Sequence, residues 1–457
     1  MMRLFSPVAE FLVSTGMLEF SEWELICVAP SFLSFIEGGH TGTRRTLNLL
    51  RNRDFRQLFF ADTISQFGSQ VSQLALPLVA ILALHASTID VGLLLAAQNA
   101  GFVVSLPAGA WVDRMRCRPV MITSDIACAI ALGSIPAAWW AGTLTIFQLY
   151  LCSLIAGVGT VFFNVAYQSY LPRLLARDQL IEGNAQLEVV RNISLVSGPT
   201  AAGGIISAVG APFSVAVDAA SFICSALFVT RIHHREAKAD RPKSRLSREI
   251  AEGVQLVLGN RSLRGIAISS GTYNLFSSVV LTMLLVLFAR DLRMSPAFIG
   301  LVFSVTAIGA LAGALATRTI THTIGYGPTI WLSLAVTTPF GLLLPLATRG
   351  WSLWMAIAGY AIIWFGTTVY NIAQVSFRQA LTPVPLLGRM NASIRFLAWG
   401  TMLLGNLMGG ILGQIIGVRA AIWFGSIGLV TCFLPALFSP LRTTRELPAM
   451  IPDVDTA

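Results

Sequence analysis

Charged residues are scarce in this sequence, and their scarcity excludes a water-soluble globule. Only 12% of the 457 residues are Asp, Glu, Lys or Arg, whereas 55% are hydrophobic, and the mean hydropathy is +0.71. A soluble protein of this length needs far more polar surface to cover its core. The chain is therefore expected to lie in a lipid bilayer.

Several chemical signatures are also missing. The six cysteines show no C-x-x-C or other ligand spacing, so we interpret them as small apolar side chains. His233 and His234 have no neighbouring ligands in the sequence, so no metal site is expected. Neither a G-x-x-x-x-G-K-[ST] phosphate loop nor a G-x-S-x-G turn occurs. We predict no metal, no cofactor and no enzymatic activity.

Long apolar runs are what the sequence has instead. A membrane-spanning helix needs about 20 mostly apolar residues, and the runs do not alternate as the strands of a membrane barrel would. We predict an all-helical inner-membrane protein with twelve spans. The predicted spans are 57–83, 89–111, 119–141, 144–168, 185–210, 212–231, 264–289, 296–317, 326–348, 351–374, 391–417 and 419–440.

The basic residues are distributed unequally between the predicted connections. Of the 31 Lys and Arg residues, 25 fall on one side of the membrane and four on the other, and two lie inside spans. Positive residues accumulate on the cytoplasmic side of bilayers, so both termini and residues 232–262 are expected to be cytoplasmic. The net charge of +9 thus predicts orientation and not binding to nucleic acid. The four exceptions are Arg290, Arg293, Arg349 and Arg419.

Polar and glycine residues recur at an offset of 207 or 208 positions, which indicates two tandem six-helix halves. The matched pairs include Gly92 with Gly300, Gly101 with Gly309, Thr160 with Thr367, Asn164 with Asn371, Gly198 with Gly405 and Gly203 with Gly410. Parallel repeats around a central site are typical of alternating-access transporters. The expected organisation is an N-terminal extension of unknown role (1–47), a six-helix bundle (48–231), a cytoplasmic linker (232–262), a second bundle (263–442) and a cytoplasmic tail (443–457).

Two motifs carry a family resemblance. GAWVDRMRCR, residues 109–118, resembles the loop signature G-x-x-x-D-R-x-G-R-R of the major facilitator superfamily, with Arg116 and Cys117 departing from it. SGPTAAGG, residues 197–204, resembles the fifth-helix signature of exporters in that superfamily. Together with DVGLL, VAYQSYLP and GRMNASIRF, they make residues 48–440 similar to its bacterial drug, macrolide and siderophore exporters.

The resemblance implies a gate at the cytoplasmic mouth. The loop that contains Gly109, Asp113, Arg114 and Arg118 is expected to dock Asp113 against the eleventh span when the inner mouth is closed. That span carries Arg395, with Arg389 just before it. An arginine inside the membrane is costly unless it is paired or hydrated. In the alternative interpretation, the loop arginines are anchors that fix topology.

The repeat predicts a second latch of opposite sense. Glu188 corresponds to Arg395, and Arg318 lies three residues from the position equivalent to Asp113. Each latch would favour the outward-facing state by joining the cytoplasmic ends of the halves. The competing interpretation pairs Glu188 with Arg191, one turn away on the same helix.

The fifth-span signature also has two interpretations. Gly198, Pro199 and Gly203 bend the helix and let a neighbour approach closely, which is a packing role. Their association in the family is with antiport.

The first, fourth, seventh and tenth spans are expected to line the substrate passage, because these helices do so in the family. Asp62, Gln66, Ser69 and Gln73 share one face of the first span. The neutral polar and aromatic side chains suit an amphipathic substrate with few charges, although they would serve equally for bonds between helices. The remaining candidates are Asn164, Tyr167, Tyr273, Asn274, Trp364, Tyr370 and Asn371.

Proton coupling needs a carboxyl group whose exposure changes during the cycle. Asp62 is the leading candidate because it lies on a cavity helix, and Asp125, Glu188 and Asp218 follow. The fourth span lacks the arginine that related drug exporters carry there.

The predicted protein is thus a secondary transporter in a bacterial cytoplasmic membrane. It is expected to export a hydrophobic or amphipathic small molecule in exchange for protons and to act as a monomer. Two alternatives stay open: import or lipid flipping on the same scaffold, and a receptor or scaffold that does not transport.

Overall fold

The computed structural model describes Leu49, residues 51–105, 111–112, 115–176, 179–233, 246–383 and 386–446, without the side chains of 246–251. These residues form helices and turns only. Two compact units are present, Met1–Arg56 and Gln57–Ala457. The predicted extension 1–47 and most of the predicted tail lie outside the described residues.

The helices follow one another with short turns. In chain order they are α1 (Arg53–Leu78), α2 (Thr88–Asn99), α3 (Cys117–Trp140), α4 (Ile146–Leu174), α5 (Leu180–Val209), α6 (Ala211–Thr230), α7 (Leu246–Gly259), α8 (Arg261–Val286), α9 (Pro296–Ile324), α10 (Tyr326–Thr337), α11 (Trp351–Leu381), α12 (Leu387–Ile415), α13 (Val418–Thr431) and α14 (Leu434–Leu437). A π-helical turn extends α1 over Val79–Ala83 and α8 over Leu287–Asp291, and a 3-10 segment, Thr338–Leu346, extends α10.

Eleven helices of the described part are long and apolar enough to cross a bilayer. They coincide with eleven of the predicted spans, so hydropathy located them correctly. The other prediction, 89–111, is helical over Thr88–Asn99 and continues as a 3-10 turn at Ala100–Phe102. Residues 106–110 of that span are outside the described residues.

Local features recur at the offset that the sequence predicted. Ser87 and Ser295 each accept a backbone hydrogen bond as the N-cap of α2 and of α9, which satisfies a free amide of the first turn. His85 and Arg293 have positive φ angles of 49° and 45°. The π-helical turns begin at Val79 and Leu287. Each pair is 208 residues apart.

Short turns meet at one end of the helices, which we call the hairpin end. Arg290 donates to the carbonyl of Ala86, and Arg349 donates to that of Leu292 at 2.9 Å. Arg419 donates to the carbonyls of Pro345 and Ala347 at 2.7 and 2.8 Å. Three of the four basic residues at this sparsely charged end therefore connect turns through hydrogen bonds to backbone carbonyls.

The opposite end, which we call the terminal end, contains residues 231–233 and 441–446. There Arg118, at the start of α3, donates to the carbonyls of Val229 and Thr230 at the end of α6. The helix α7 also lies at this end, because Glu252 forms an ion pair with Arg389 at the start of α12. This helix lies within the linker predicted over 232–262, and it packs against the bundle through Val257, which is fully buried.

Candidate functional site

A group of charged and polar side chains connects α1, α4 and α5. Asp62 is buried, and Gln66 donates from Nε2 to its Oδ1 at 3.4 Å. Arg191 and Glu188 of α5 lie within electrostatic reach of Asp62. The Tyr167 hydroxyl of α4 is near Asp62 and Glu188 and is buried without a hydrogen bond. Asp62 therefore lies among polar groups from three helices.

Arg395 of α12 faces the same group from the other half of the chain. Its guanidinium carbon lies 5.4 Å from the ring centroid of Trp399, a cation–π contact. Trp399 packs edge-to-face on Phe102, with centroids 4.7 Å apart. Arg191 and Arg395 are within electrostatic reach of each other. Two arginines from different halves thus border one polar region.

The predicted gate is only partly within the described residues. Gly109, Asp113 and Arg114 lie outside them, so the expected pairing of Asp113 with Arg395 stays a prediction. Glu188 lies 3.9 Å from Arg191, and the two side chains are 61% and 67% exposed. The structure thus contains the pair of the competing interpretation, and the contact of Glu188 with Arg318 stays a prediction.

Two other gating candidates have partners that the sequence did not reveal. Arg118 bonds the end of α6, which agrees with an anchoring role. Arg389 pairs with Glu252 of α7, so the linker helix contacts the start of α12. No sequence pattern indicated that pairing, because the two residues are 137 positions apart.

The candidate cavity residues of the second half divide into two groups. Thr367 donates to the Tyr273 hydroxyl at 2.8 Å, and Asn274 donates to the Ala398 carbonyl at 2.8 Å. Tyr370 is 2% exposed and its hydroxyl bonds Ser270 at 2.6 Å. These three bonds connect helices, as the alternative interpretation expected. Trp364 and Asn371 are more accessible and fit a lining role better.

Glycines bring α2 against α12 and α5 against α9. A Cβ added to Gly92 would lie 2.8 Å from the Gly410 Cα, and one added to Gly300 would lie 3.1 Å from the Gly203 Cα. Pro199 joins the second contact, because its carbonyl oxygen would be 2.1 Å from a Cβ at Gly300. Both contacts lie in the halves of the helices nearest the hairpin end, where backbones can touch only if side chains are absent.

The apolar core shows the same difference between the ends. One buried cluster near the hairpin end includes Leu76 and Leu94 from the first half together with Leu284 and Ile299 from the second. Two further clusters, around Phe377 and around Ile394, contain no residue of the first half, and the second of them includes Val257 of α7. The hairpin end is closed by packing between the halves, whereas Arg191 and Glu188 are exposed toward the terminal end.

The other two acidic candidates lie away from this region. Asp125 of α3 and Asp218 of α6 are 0% and 1% exposed and within electrostatic reach of each other. Ser65, Gly68 and Ser72 form a second buried polar face of α1, and Gly68 and Ser72 lie against α6. The spacing i, i+3, i+7 could have revealed this face in the sequence.

Comparison with known proteins identifies the architecture. Residues 45–453 match the family model described as "Transmembrane secretion effector". The multidrug efflux pump Tap of Mycolicibacterium fortuitum is 27% identical over 411 residues, which cover 83% of this chain and 95% of Tap. The enterobactin exporter EntS of Escherichia coli O1:K1 is 24% identical, covering 90% of this chain and 98% of EntS.

Solved structures share the fold. The nucleoside transporter NupG superposes with a TM-score of 0.66 at 14% identity, covering 84% of this chain and 99% of NupG. A bacterial homologue of the iron transporter ferroportin, in an inward-facing state, has a TM-score of 0.67 at 16% identity and covers 85% of this chain and 98% of its own. With a family model matching nearly its whole length, the chain belongs to the transmembrane secretion effector family of the major facilitator superfamily, and it is a membrane transporter and not an enzyme.

Proposed function

We propose that this transporter exports an amphipathic small molecule by alternating access, in exchange for protons. The export direction is supported by the names of its relatives, an efflux pump and a siderophore exporter. The polar and aromatic side chains around Asp62, Tyr167 and Trp399 supply hydrogen bonds and stacking surfaces for such a cargo.

The proposed architecture is twelve spans in two parallel six-helix repeats, with α1–α6 and α8–α13 as the halves and α7 in the linker. Its main support is the glycine contacts. Gly92 meets Gly410, and Gly300 meets Gly203; moving by 208 or 207 positions turns the first pair into the second. Such paired contacts are what a two-fold relation between halves produces.

The terminal end is proposed to be cytoplasmic, because most basic residues precede, follow or connect the spans there. On that orientation, the structure is an inward-facing conformation. Its extracellular end is closed by the α2–α12 and α5–α9 contacts, and its polar region is accessible from the cytoplasm. A substrate would enter from the side on which an exporter collects it.

The gate is proposed to act in the opposite state. Asp113 would pair with Arg395, and Glu188 would leave Arg191 for Arg318 when the cytoplasmic ends meet. Ion pairs at a hydrated mouth contribute about 1 kcal/mol or less each, so they can form and break in every cycle.

Export is tested with right-side-out and everted vesicles from a bacterium that lacks its own major efflux pumps. A macrolide, a lipophilic cationic dye and a catecholate siderophore sample the expected chemistry. We expect everted vesicles with an acidic lumen to accumulate at least one of them, and vesicles without the protein to accumulate none. Uptake by right-side-out vesicles alone would show import and contradict the proposal.

A further inference from the structure

Asp125 and Asp218 form a buried carboxyl pair inside the helical bundle, apart from the polar region around Asp62. α3 and α6 pack along each other, and the two side chains are 0% and 1% exposed. Ser221 donates to Asp218 Oδ1 at 2.9 Å. Neither carboxyl oxygen of Asp125 makes a hydrogen bond. Buried polar groups normally have hydrogen-bond partners, so these oxygens indicate a site for a proton or another small ligand.

Two further side chains point to a ligand independently. The hydroxyl of Ser225 faces Asp125 and that of Ser72 faces Asp218. Both serines are more than nine-tenths buried, with exposures of 0% and 4%, and neither hydroxyl has a hydrogen bond of acceptable geometry. Unsatisfied oxygens from α1, α3 and α6 therefore converge on the pair.

Among the described residues, no basic group neutralises the two carboxyls. Within the described helices around them, α1, α3, α4 and α6, the arginines lie only near helix ends, and none acts electrostatically on either carboxyl. The other titratable group nearby is the Cys128 thiol of α3, beneath Gly159 of α4, whereas Asp62 lies on another face of α1. These end arginines are Arg53, Arg56, Arg118 and Arg173.

Two unpaired carboxylates side by side in an apolar interior are strongly disfavoured, because burial and mutual repulsion both act against the second charge. A proton bound to one carboxyl removes one charge and lets that O–H donate to the other, as in paired-carboxyl sites. The pair is then a monoanion stabilised by the serine hydroxyls. Hydroxyl and carboxyl groups can also transfer a proton from one to the next along a chain of hydrogen bonds.

α1 separates this pair from the substrate region. Gly68 of α1 packs directly against the carboxyl pair, since a Cβ added to it would be 2.6 Å from Asp218 Oδ1 and 2.0 Å from Ser221 Oγ. Asp62 and Gln66 lie on the other face of the same helix. Ser225 is one turn nearer to the terminal end than Ser221, so the polar face of α6 leads from the pair toward the proposed cytoplasmic side.

We propose that Asp125 and Asp218 share one exchangeable proton and form a second coupling site, separated from the substrate by α1. The coupling part rests on the proton antiport proposed above, whereas the shared proton does not. The site takes up or releases its proton when α1 moves against α3 and α6, without direct competition from the cargo.

The shared proton is tested on purified protein by infrared difference spectroscopy during pH titration, with no substrate present. We expect a protonated-carboxyl band in the wild type that shifts in Asp125→Asn and in Asp218→Asn and disappears in the double variant. Asn preserves the size of a protonated Asp, so the variants should fold. Asp90→Asn is the control, because Asp90 is bonded by Ser87 and Tyr150, and it should leave the band unchanged.

A band that persists in the double variant would overturn the proposal. A second result would also overturn it: the wild type shows no such band, and its melting temperature rises with Na⁺ but not with K⁺. That result would assign the site to sodium. For the coupling part, liposomes with a gradient of one pH unit are used with a compound that the wild type transports. One coupled proton allows about tenfold accumulation.

The double variant should lose part of that accumulation while exchange at equal concentrations continues. Unchanged accumulation would contradict coupling through this pair. Absence of any transport by the wild type would contradict the proposed function and leave the infrared result as the test of the proton site.

Discussion

Arg118 shows how a single residue at the membrane boundary can have a structural role. Its guanidinium donates to two carbonyls at the end of α6, where a helix leaves acceptors unsatisfied and carries partial negative charge. The neighbouring Arg116 is exposed. One short basic motif thus contains an exposed arginine, Arg116, that can act as a topology signal and another, Arg118, that caps a helix.

Replacing Arg118 with Leu should destabilise the protein by about 1–3 kcal/mol, the usual contribution of a charge-assisted hydrogen bond. The expected observable is a lower midpoint of thermal unfolding in detergent. Arg116→Leu is the matched control and should leave the midpoint almost unchanged. Equal effects of the two substitutions would argue against the cap.

Asp62 is the carboxyl that we expect to respond to substrate. Asp62→Asn should strongly reduce the effect of a pH gradient on accumulation while counterflow continues, because exchange of substrate does not require net proton movement. Asp62→Glu retains the carboxyl and should recover part of the gradient dependence. Undiminished pH response in Asp62→Asn would exclude this residue from coupling.

Sequence alone located Asp62 on a polar face but could not rank the other polar residues. Tyr370 resembled a lining residue, yet its hydroxyl is occupied by Ser270 and its ring is buried. Asp125 and Asp218 are 93 positions apart, so nothing local indicated that they meet. Periodicity identifies a face of a helix, whereas the partner of that face depends on packing.

At the scale of helices, the α5–α9 contact depends on the absence of side chains. Thr200 donates its backbone N–H to Ser304 Oγ at 3.0 Å, and Gly203 and Gly300 allow the backbones to approach. The exporter-type signature is therefore a packing surface in this conformation. Its association with antiport is consistent with a tight closure that resists leak.

Gly203→Ala should weaken this closure, because its Cβ would lie 2.4 Å from the Pro296 carbonyl oxygen. We expect a lower unfolding midpoint and greater extracellular access to a cysteine placed in the cavity. Gly204→Ala is the control, since no atom lies within 4 Å of that added Cβ, and it should be neutral or slightly stabilising. Indistinguishable behaviour of the two variants would contradict a closure role.

The hydropathy pattern predicted the spans because each needs only length and composition, and the limits of eleven of them differ from those of the helices by seven residues at most. The irregular ends were not predictable in this way. The π-helical turns at Val79–Ala83 and Leu287–Asp291 depend on how the two helices meet at the hairpin end. The docking of α7 likewise involves an ion pair between Glu252 and Arg389, two residues that are distant in the sequence.

For the whole molecule, alternating access predicts that the two ends close in turn. Asp113→Arg and Arg395→Asp should each reduce transport, since each breaks the proposed cytoplasmic latch. The double exchange should restore a substantial part of it by reversing the pair. Failure of the exchange to rescue, with normal amounts of protein in the membrane, would count against the latch.

Orientation provides a second test at this scale. Single cysteines introduced at Arg51 and at Thr444 in a background without the native cysteines should react with an impermeant thiol reagent only after the membrane is opened. A cysteine at Thr348, in a turn of the hairpin end, should react in intact cells. Labelling of Arg51 and Thr444 positions from opposite sides would contradict two six-helix halves.

Within the described helices the carboxyl pair has no counterpart in the second half, since α10 and α13, the helices that correspond to α3 and α6, contain no acidic residue. A small molecule that binds between α1, α3 and α6 would therefore inhibit transport from the first half alone, without occupying the substrate passage. Such an inhibitor would lower the maximal velocity and leave the apparent affinity for cargo intact, so raising the drug concentration could not overcome it.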